Sequence, residues 1–199
     1  MTSEGVRTHE LHGTDGAFTV YVLDDVPGPN PPAAAVFGDV SDDCLVRVHS
    51  RCLYGEIFAS NDCDCREQLH KSLELIREEG AGVLIYLDQE GRGAGLGVKA
   101  RGYEVSQLLG LDTYESYAHL NVAADSRTYE HAARLLSVLQ LERVRLLTNN
   151  PAKVAALEAE GIVVKREELV VDHPGEHTVR YLQAKERHGH AILPAGTFA

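Results

Sequence analysis

The sequence predicts an α/β fold: a layered single domain with a mixed β-sheet flanked by helices. Three observations predict it. Short apolar runs alternate with helical stretches from residue 83 to residue 164. Helix start and stop residues stand where that alternation needs them. Before residue 50 strand-like segments crowd together without helices, which favours a mixed sheet over a purely parallel one.

The strand-like segments come first. AFTVYV at 17–22 and AAVF at 34–37 are separated by GPNPP, which forces a loop. CLVRVH at 44–49 alternates, with Val46 and Val48 on one face and Arg47 and His49 on the other. Leu69, Leu73 and Ile76 recur at helical spacing within 66–79, with Asp64 as N-cap and Gly80 as the stop. VLIYL at 83–87 reads as a buried strand, 98–109 as a helix and 127–139 as another. VRLLT at 144–148 is a strand, Asn150-Pro151 opens a further helix as N-cap and N1, and IVV at 162–164 closes the series. The expected catalytic domain covers 1–173, and the polar tail 174–199 either moves freely or folds over a site.

Composition narrows the function classes. The chain has 199 residues and a net charge of −11, from 30 acidic residues against 19 Lys and Arg. It has no basic face of the kind a general nucleic-acid binder carries, so no nucleic-acid partner is expected. No apolar run reaches the ~20 residues that span a bilayer, and the N-terminus lacks a secretory h-region. The expectation is a cytoplasmic protein without membrane association.

In that compartment, clustered cysteines read as metal ligands rather than disulfides. Cys52, Cys63 and Cys65 form C-x10-C-x-C. Three thiolates fill three corners of a tetrahedral zinc site and leave the fourth for water, the arrangement of catalytic zinc. His49, His70 or Cys44 could close the site instead, and the plain alternative is three buried, unreactive thiols. Asp62 and Asp64 add negative charge to the cluster, which the metal must offset with help from Arg51 and Arg66. An open zinc would activate water against an electron-poor carbon such as C8 of a purine. The deaminase signature, H-x-E followed by P-C-x-x-C, is absent.

Two segments suit phosphates or a base. In Glu90-Gly91-Arg92-Gly93-Ala94-Gly95-Leu96-Gly97 four glycines fall in seven positions, between a strand and a helix. It matches neither a Walker A loop nor G-x-G-x-x-G. It is either a tight structural loop or a site where Glu90 reads guanine N–H donors and Arg92 grips a phosphate. In Thr148-Asn149-Asn150-Pro151-Ala152-Lys153, a lysine in the first turn of a helix opposes the helix dipole unless an anion sits there. Asp125 and Arg127 stand at a helix start, where the plain account makes Asp125 or Ser126 the N-cap and Arg127 an exposed residue.

Taken together, these stretches resemble the GTP cyclohydrolase II family of riboflavin biosynthesis. The resemblance runs through RVHS at 47–50, CDCxxQL at 63–69, YLxQEGRGxGL at 86–96 and KxRxY at 99–103. It continues through AADxR at 123–127, LLTNNPxKV at 146–154 and YLxxKxxxxGH at 181–190. It implies that Cys52, Cys63 and Cys65 ligate one catalytic Zn2+, and that Mg2+ accompanies the nucleotide phosphates. It implies substrate contacts for Arg47, Val48, His49, Ser50, Arg51, Gln68, Glu90, Gly91, Arg92, Thr113, Thr148 and Lys153. Asp125 becomes the proton acceptor, and Arg127 the nucleophile towards the α-phosphate, with charge stabilisation as the physical alternative. Tyr103 is tied to completing the hydrolysis. The implied reaction opens GTP at C8, releasing formate and pyrophosphate and leaving 2,5-diamino-6-(5-phosphoribosylamino)pyrimidin-4(3H)-one, in a homodimer. The alternatives are the same chemistry on another purine nucleotide or to another product, and a silent nucleotide-binding paralogue. This chain departs from the pattern at Arg51, Asp62, Arg66 and Asp88, and NxxLGF is here Tyr117-Ala118-His119-Leu120-Asn121-Val122.

Overall fold

A computed structural model describes residues 4–14, 16–171, 182–183 and 186–187. Most of the tail 174–199, including most of the YLxxKxxxxGH stretch, lies outside the described residues. The chain forms two compact units, each assembled from separated stretches of sequence. The first comprises Met1–His49, Leu69–Asp88 and Thr128–Leu169, and the second Ser50–Gln68, Gln89–Arg127 and Val170–Ala199.

A seven-stranded mixed sheet organises the first unit, bearing out the α/β expectation. Its strands are β1 (Val6–Gly13), β2 (Gly16–Leu23), β3 (Ala33–Phe37), β4 (Cys44–Ser50), β5 (Gly82–Leu87), β6 (Arg143–Leu147) and β7 (Val163–Glu167), in the order β1-β2-β3-β5-β4-β6-β7. The pairs β1–β2, β2–β3 and β3–β5 are antiparallel. The pairs β4–β6 and β6–β7 are parallel. The first pair is a tight hairpin with Gly13 opposite Gly16. Sequence reading misses β1 because Val6 is its only buried residue, so it shows no alternation.

β4 carries alternating residue types, yet Leu45, Val46, Arg47, Val48 and His49 are all buried. A strand in the middle of a covered sheet buries both faces, so alternation there does not separate core from solvent. The core gathers Val46, Val48, Val83, Ile85 and Leu146 from strands with Ala132, Leu135, Leu136 and Leu157 from helices. Those helices are α5 (Glu130–Val138) and α6 (Pro151–Ala159). α6 starts as its sequence predicts, with the Asn150 carboxamide oxygen accepting the Ala152 N–H at 2.9 Å. α2 (Cys65–Glu79) also matches its expected span.

α5 corrects its expected start. Tyr129 is its N-cap, so Asp125, Ser126 and Arg127 lie in the approach loop and none of them caps or opens the helix. Local bonds hold that loop: Ser126 N–H donates to Arg92 O, and Arg127 N–H donates to the Asp125 carboxylate.

The second unit contains α1 (Leu53–Glu56), α3 (Leu96–Leu109) and α4 (Thr113–His119), together with the first turn of α2. α4 was not expected from sequence, although Asp112 and Glu115 form a complete capping box around its first turn. Among the described residues no helix is long and apolar enough to cross a membrane.

Candidate active site

The three cysteines of the C-x10-C-x-C pattern converge in the second unit. Cys52 is the N-cap of α1, Cys63 lies in the following turn and Cys65 is the first residue of α2. Their sulfurs all lie within 4.8 Å of one another, and Cys52 Sγ to Cys63 Sγ is 3.6 Å. Among the described residues no His, Asp or Glu joins this group. Three convergent, largely buried thiols fit a metal, and a tetrahedral ion held by them would have a fourth position that no His, Asp or Glu of the described residues fills.

The packing is tight enough to dictate a glycine. A Cβ on Gly55 would stand 2.9 Å from Cys63 Sγ and 3.5 Å from Cys52 Sγ. The thiols also share charge. Hydrogen bonds from Cys63 and Cys65 hold the Cys52 thiol far below its usual range, as a thiolate. The same thiolate pushes Cys63 up to about 12, and Cys65 is raised by both neighbours and by burial.

The cation at this cluster is not one that sequence suggested. Lys99 of α3 donates to Cys52 Sγ at 3.1 Å and to Glu90 Oε1 at 2.8 Å. Burial works against its charge, but the Cys52 thiolate and the Glu90 carboxylate together raise it above the ordinary lysine range. Arg66 pairs with Glu67 instead. The only sequence signal for Lys99 is its place in KxRxY.

Glu90 opens the glycine-rich loop and is buried. Its Oε2 accepts the Leu53 N–H at 2.6 Å, and its Oε1 accepts the Gly91 N–H at 2.9 Å as well as Lys99. Little of this carboxylate is therefore left to read a base. Gly91, Arg92, Gly93 and Gly95 all have positive φ, a region in which glycine carries no Cβ penalty. At Gly93 the reason is close approach, since a Cβ would meet the Ser126 backbone at 2.9 Å. The Arg92 guanidinium lies 3.8 Å above the Tyr114 ring.

These groups line one cavity of about 740 Å³ within the second unit. Of the expected site residues it takes in Ser50, Arg51, Cys52, Cys63, Cys65, Glu90, Gly91, Arg92, Tyr103, Thr113 and Arg127. Ser50 donates to the Gln89 side chain at 3.3 Å, and Tyr103 meets Tyr54 edge-on at 5.4 Å. Gln183 and Arg187 of the tail also line it, and Arg187 bonds the Asp112 carboxylate at 2.8 Å. Tyr117 is a further wall residue that sequence reading passed over. It is buried, donates to Gly91 O at 3.1 Å and fills the space where a Cβ on Gly102 would come within 2.8 Å of its ring.

Asp125 and Arg127 form one ion pair. Arg127 Nε and Nη2 reach both carboxylate oxygens, at 2.9 Å and 2.5 Å. Burial alone would push the Asp125 carboxyl up, but Arg127, its backbone N–H and the charge of Arg92 hold it below the ordinary carboxylate value. Gln68 donates to the Asp64 carboxylate at 2.5 Å and is not among the cavity-lining residues.

The other expected substrate residues belong to the first unit. Arg47 donates to Leu147 O at 2.9 Å, Val48 is core, and His49 stacks on Tyr86 with centroids 5.8 Å apart. Thr148 is buried and accepts the Asn150 N–H at 3.1 Å. Lys153 donates to Val48 O at 2.7 Å.

Comparison with known proteins adds the family. The GTP cyclohydrolase II family pattern matches residues 4–168. The chain is 42% identical over 181 residues to the riboflavin biosynthesis protein RibBA of Bacillus velezensis, covering 89% of this chain and 45% of that one. It is 45% identical over 155 residues to the GTP cyclohydrolase-2 of Xylella fastidiosa (strain Temecula1), covering 77% and 39%. It is 42% identical over 195 residues to the GTP cyclohydrolase-2 of Acinetobacter baumannii (strain SDF), covering 96% of both chains. The chain thus spans less than half the length of the first two relatives and nearly all of the third.

Proposed function

Because the chain belongs to the GTP cyclohydrolase II family, we propose that it hydrolyses GTP at C8. The products are formate, pyrophosphate and 2,5-diamino-6-(5-phosphoribosylamino)pyrimidin-4(3H)-one. The observation that carries this reading is the convergence of three thiols, without a fourth ligand among the described residues, at a cavity lined by Arg51, Arg92 and Arg127. Cys52, Cys63 and Cys65 would hold zinc, which when bound supplies Lewis acidity and lowers the pKa of a coordinated water.

The chain's own residues divide the remaining work. Arg51 and Arg92 present guanidinium groups to the phosphates, which Mg2+ accompanies. Thr113 opens α4 on the cavity wall, and Tyr103 offers a phenol for proton handling as the ring opens. Thr148 and Lys153 keep the phosphate-side role that the family resemblance implies. Arg47, Val48 and His49 lead the strand into Ser50, Arg51 and Cys52, and Gln68 steadies Asp64 between two metal ligands.

Magnitudes decide the role of Arg127. Moving its proton to a carboxylate held below its usual range is uphill by roughly 10 pKa units, ~14 kcal/mol. A charged guanidinium has no lone pair with which to attack phosphorus. We therefore assign Arg127 to charge stabilisation at the α-phosphate and Asp125 to orienting it and accepting a proton from the substrate side.

A second reading, the same hydrolysis on another purine nucleotide, is favoured by Tyr117. It places a bulky phenol in the cavity wall where the family pattern has asparagine. The test of both is mass spectrometry of products after zinc-loaded protein meets GTP, Mg2+ and several related purines. Formate, pyrophosphate and the pyrimidinone from GTP are expected. Turnover of a different purine alone would move the assignment to the second reading, and full zinc occupancy with no turnover would leave a nucleotide-binding protein. The family also motivates a homodimer, which sedimentation of the purified chain tests.

A further inference from the structure

Lys99 has no part in the substrate contacts or chemistry assigned above, yet it is a buried cation bonded to the thiol cluster. Its side chain is 10% exposed and that of Glu90 is 7% exposed. Burying an ammonium is costly unless it is paired and hydrogen-bonded. Here Nζ donates to Cys52 Sγ at 3.1 Å and Glu90 Oε1 at 2.8 Å, and lies 4.5 Å from the centroid of the Tyr54 ring. Glu90 is fixed in turn by the Leu53 and Gly91 N–H groups, at 2.6 Å and 2.9 Å. The pair thus ties the backbone next to a metal ligand, the glycine loop and α3 together. Three thiolates around a divalent ion leave an excess negative charge, and an N–H donor to sulfur withdraws electron density from that ligand.

We propose that Lys99, oriented by Glu90, is a positioning residue of the metal centre: its hydrogen bond to Cys52 sets how tightly, and with how much thiolate donation, the three cysteines hold a divalent metal. This rests on the metal-site reading above and deepens it. A merely structural Lys99 would only fill space and neutralise Glu90; Lys99→Met keeps the volume, and Glu90→Gln removes the charge that needed neutralising. The two roles therefore separate in a double variant.

The test is Co2+ titration of the full chain, reading the thiolate-to-cobalt charge-transfer absorption and the affinity against a competing chelator. If the wild-type chain gives no such band, the metal reading itself fails, whatever Lys99 does. With the band present, Lys99→Met should bind 10- to 100-fold more weakly, with a shifted band. The double variant Lys99→Met/Glu90→Gln should regain the part of the thermal stability lost to an unpaired buried carboxylate, while the affinity stays low and the band stays shifted. Wild-type affinity with an unshifted band in either folded variant overturns the proposal. Lys99→Arg keeps the charge but changes the donor geometry. It should keep most of the affinity and displace the band, and it decides alone if the neutral variants do not fold: a band coinciding with wild type overturns the proposal.

Discussion

Single side chains at the thiol cluster work within tolerances of a few tenths of an ångström. Gly55→Ala would force a methyl group against Cys63 Sγ, so the variant should fold but bind metal at least tenfold more weakly in a chelator competition. Unchanged affinity would mean that the cluster relaxes freely. Arg127 offers a sharper choice between chemistries. If its role is charge, Arg127→Lys should retain part of the pyrophosphate release that Arg127→Ala loses. Detection of a guanylyl adduct on Arg127 by peptide mass spectrometry would overturn that role. The ion pair also sets a pH dependence. Asp125 is held below its ordinary value, so the pair is complete at neutral pH and breaks only as pH falls through that lowered value.

At the scale of elements, short polar side chains decide where helices and strands begin. Asn150→Ala removes the cap of α6 and should cost about 1 kcal/mol in urea unfolding, whereas Asn150→Gly should cost a few tenths. Asp42 performs the equivalent service for β6, accepting the Glu142 and Arg143 N–H groups at 2.8 Å and 3.0 Å. Those bonds hold its carboxyl below the ordinary value of 3.8. Its contribution is therefore fully present above that value and disappears as pH falls through the lowered one. Asp42→Ala should lower the urea midpoint at pH 7, and the gap should shrink as pH falls below the ordinary carboxylate value of 3.8; a gap of constant size would exclude the carboxylate as the cause.

For the molecule as a whole, stability and chemistry have separate seats. Leu135 and Leu146 are fully buried in the core of the first unit. Leu146→Ala should cost roughly 2–5 kcal/mol by urea unfolding. The thiols and the cavity belong to the second unit. Metal bound there stabilises that state by mass action. Chelation should therefore speed amide exchange across 52–66 well before it affects the β6 amides. Equal acceleration in both would show that the metal supports the entire fold.

Much of this was legible in sequence because it rests on local rules. The mixed sheet, the extent of α2 and the Asn150-Pro151 start of α6 follow from apolar spacing and capping, and the C-x10-C-x-C spacing singled out the thiols that converge. What was not legible depends on neighbours distant in sequence. β1 shows no alternation because it buries only one residue, and β4 buries both faces because it lies in the middle of a sheet covered on both sides. Lys99 becomes the partner of Cys52 only when α3 packs on the cluster, 47 residues away along the chain. The same holds for Lys153, whose Val48 carbonyl is 105 residues away. Sequence by itself determined which residue types carry chemistry and, where spacing and caps were local as in α2 and α6, where an element begins and ends. Tertiary structure alone decided which charges meet, because a buried ion needs its counter-charge within hydrogen-bonding distance in space, wherever that partner falls along the chain.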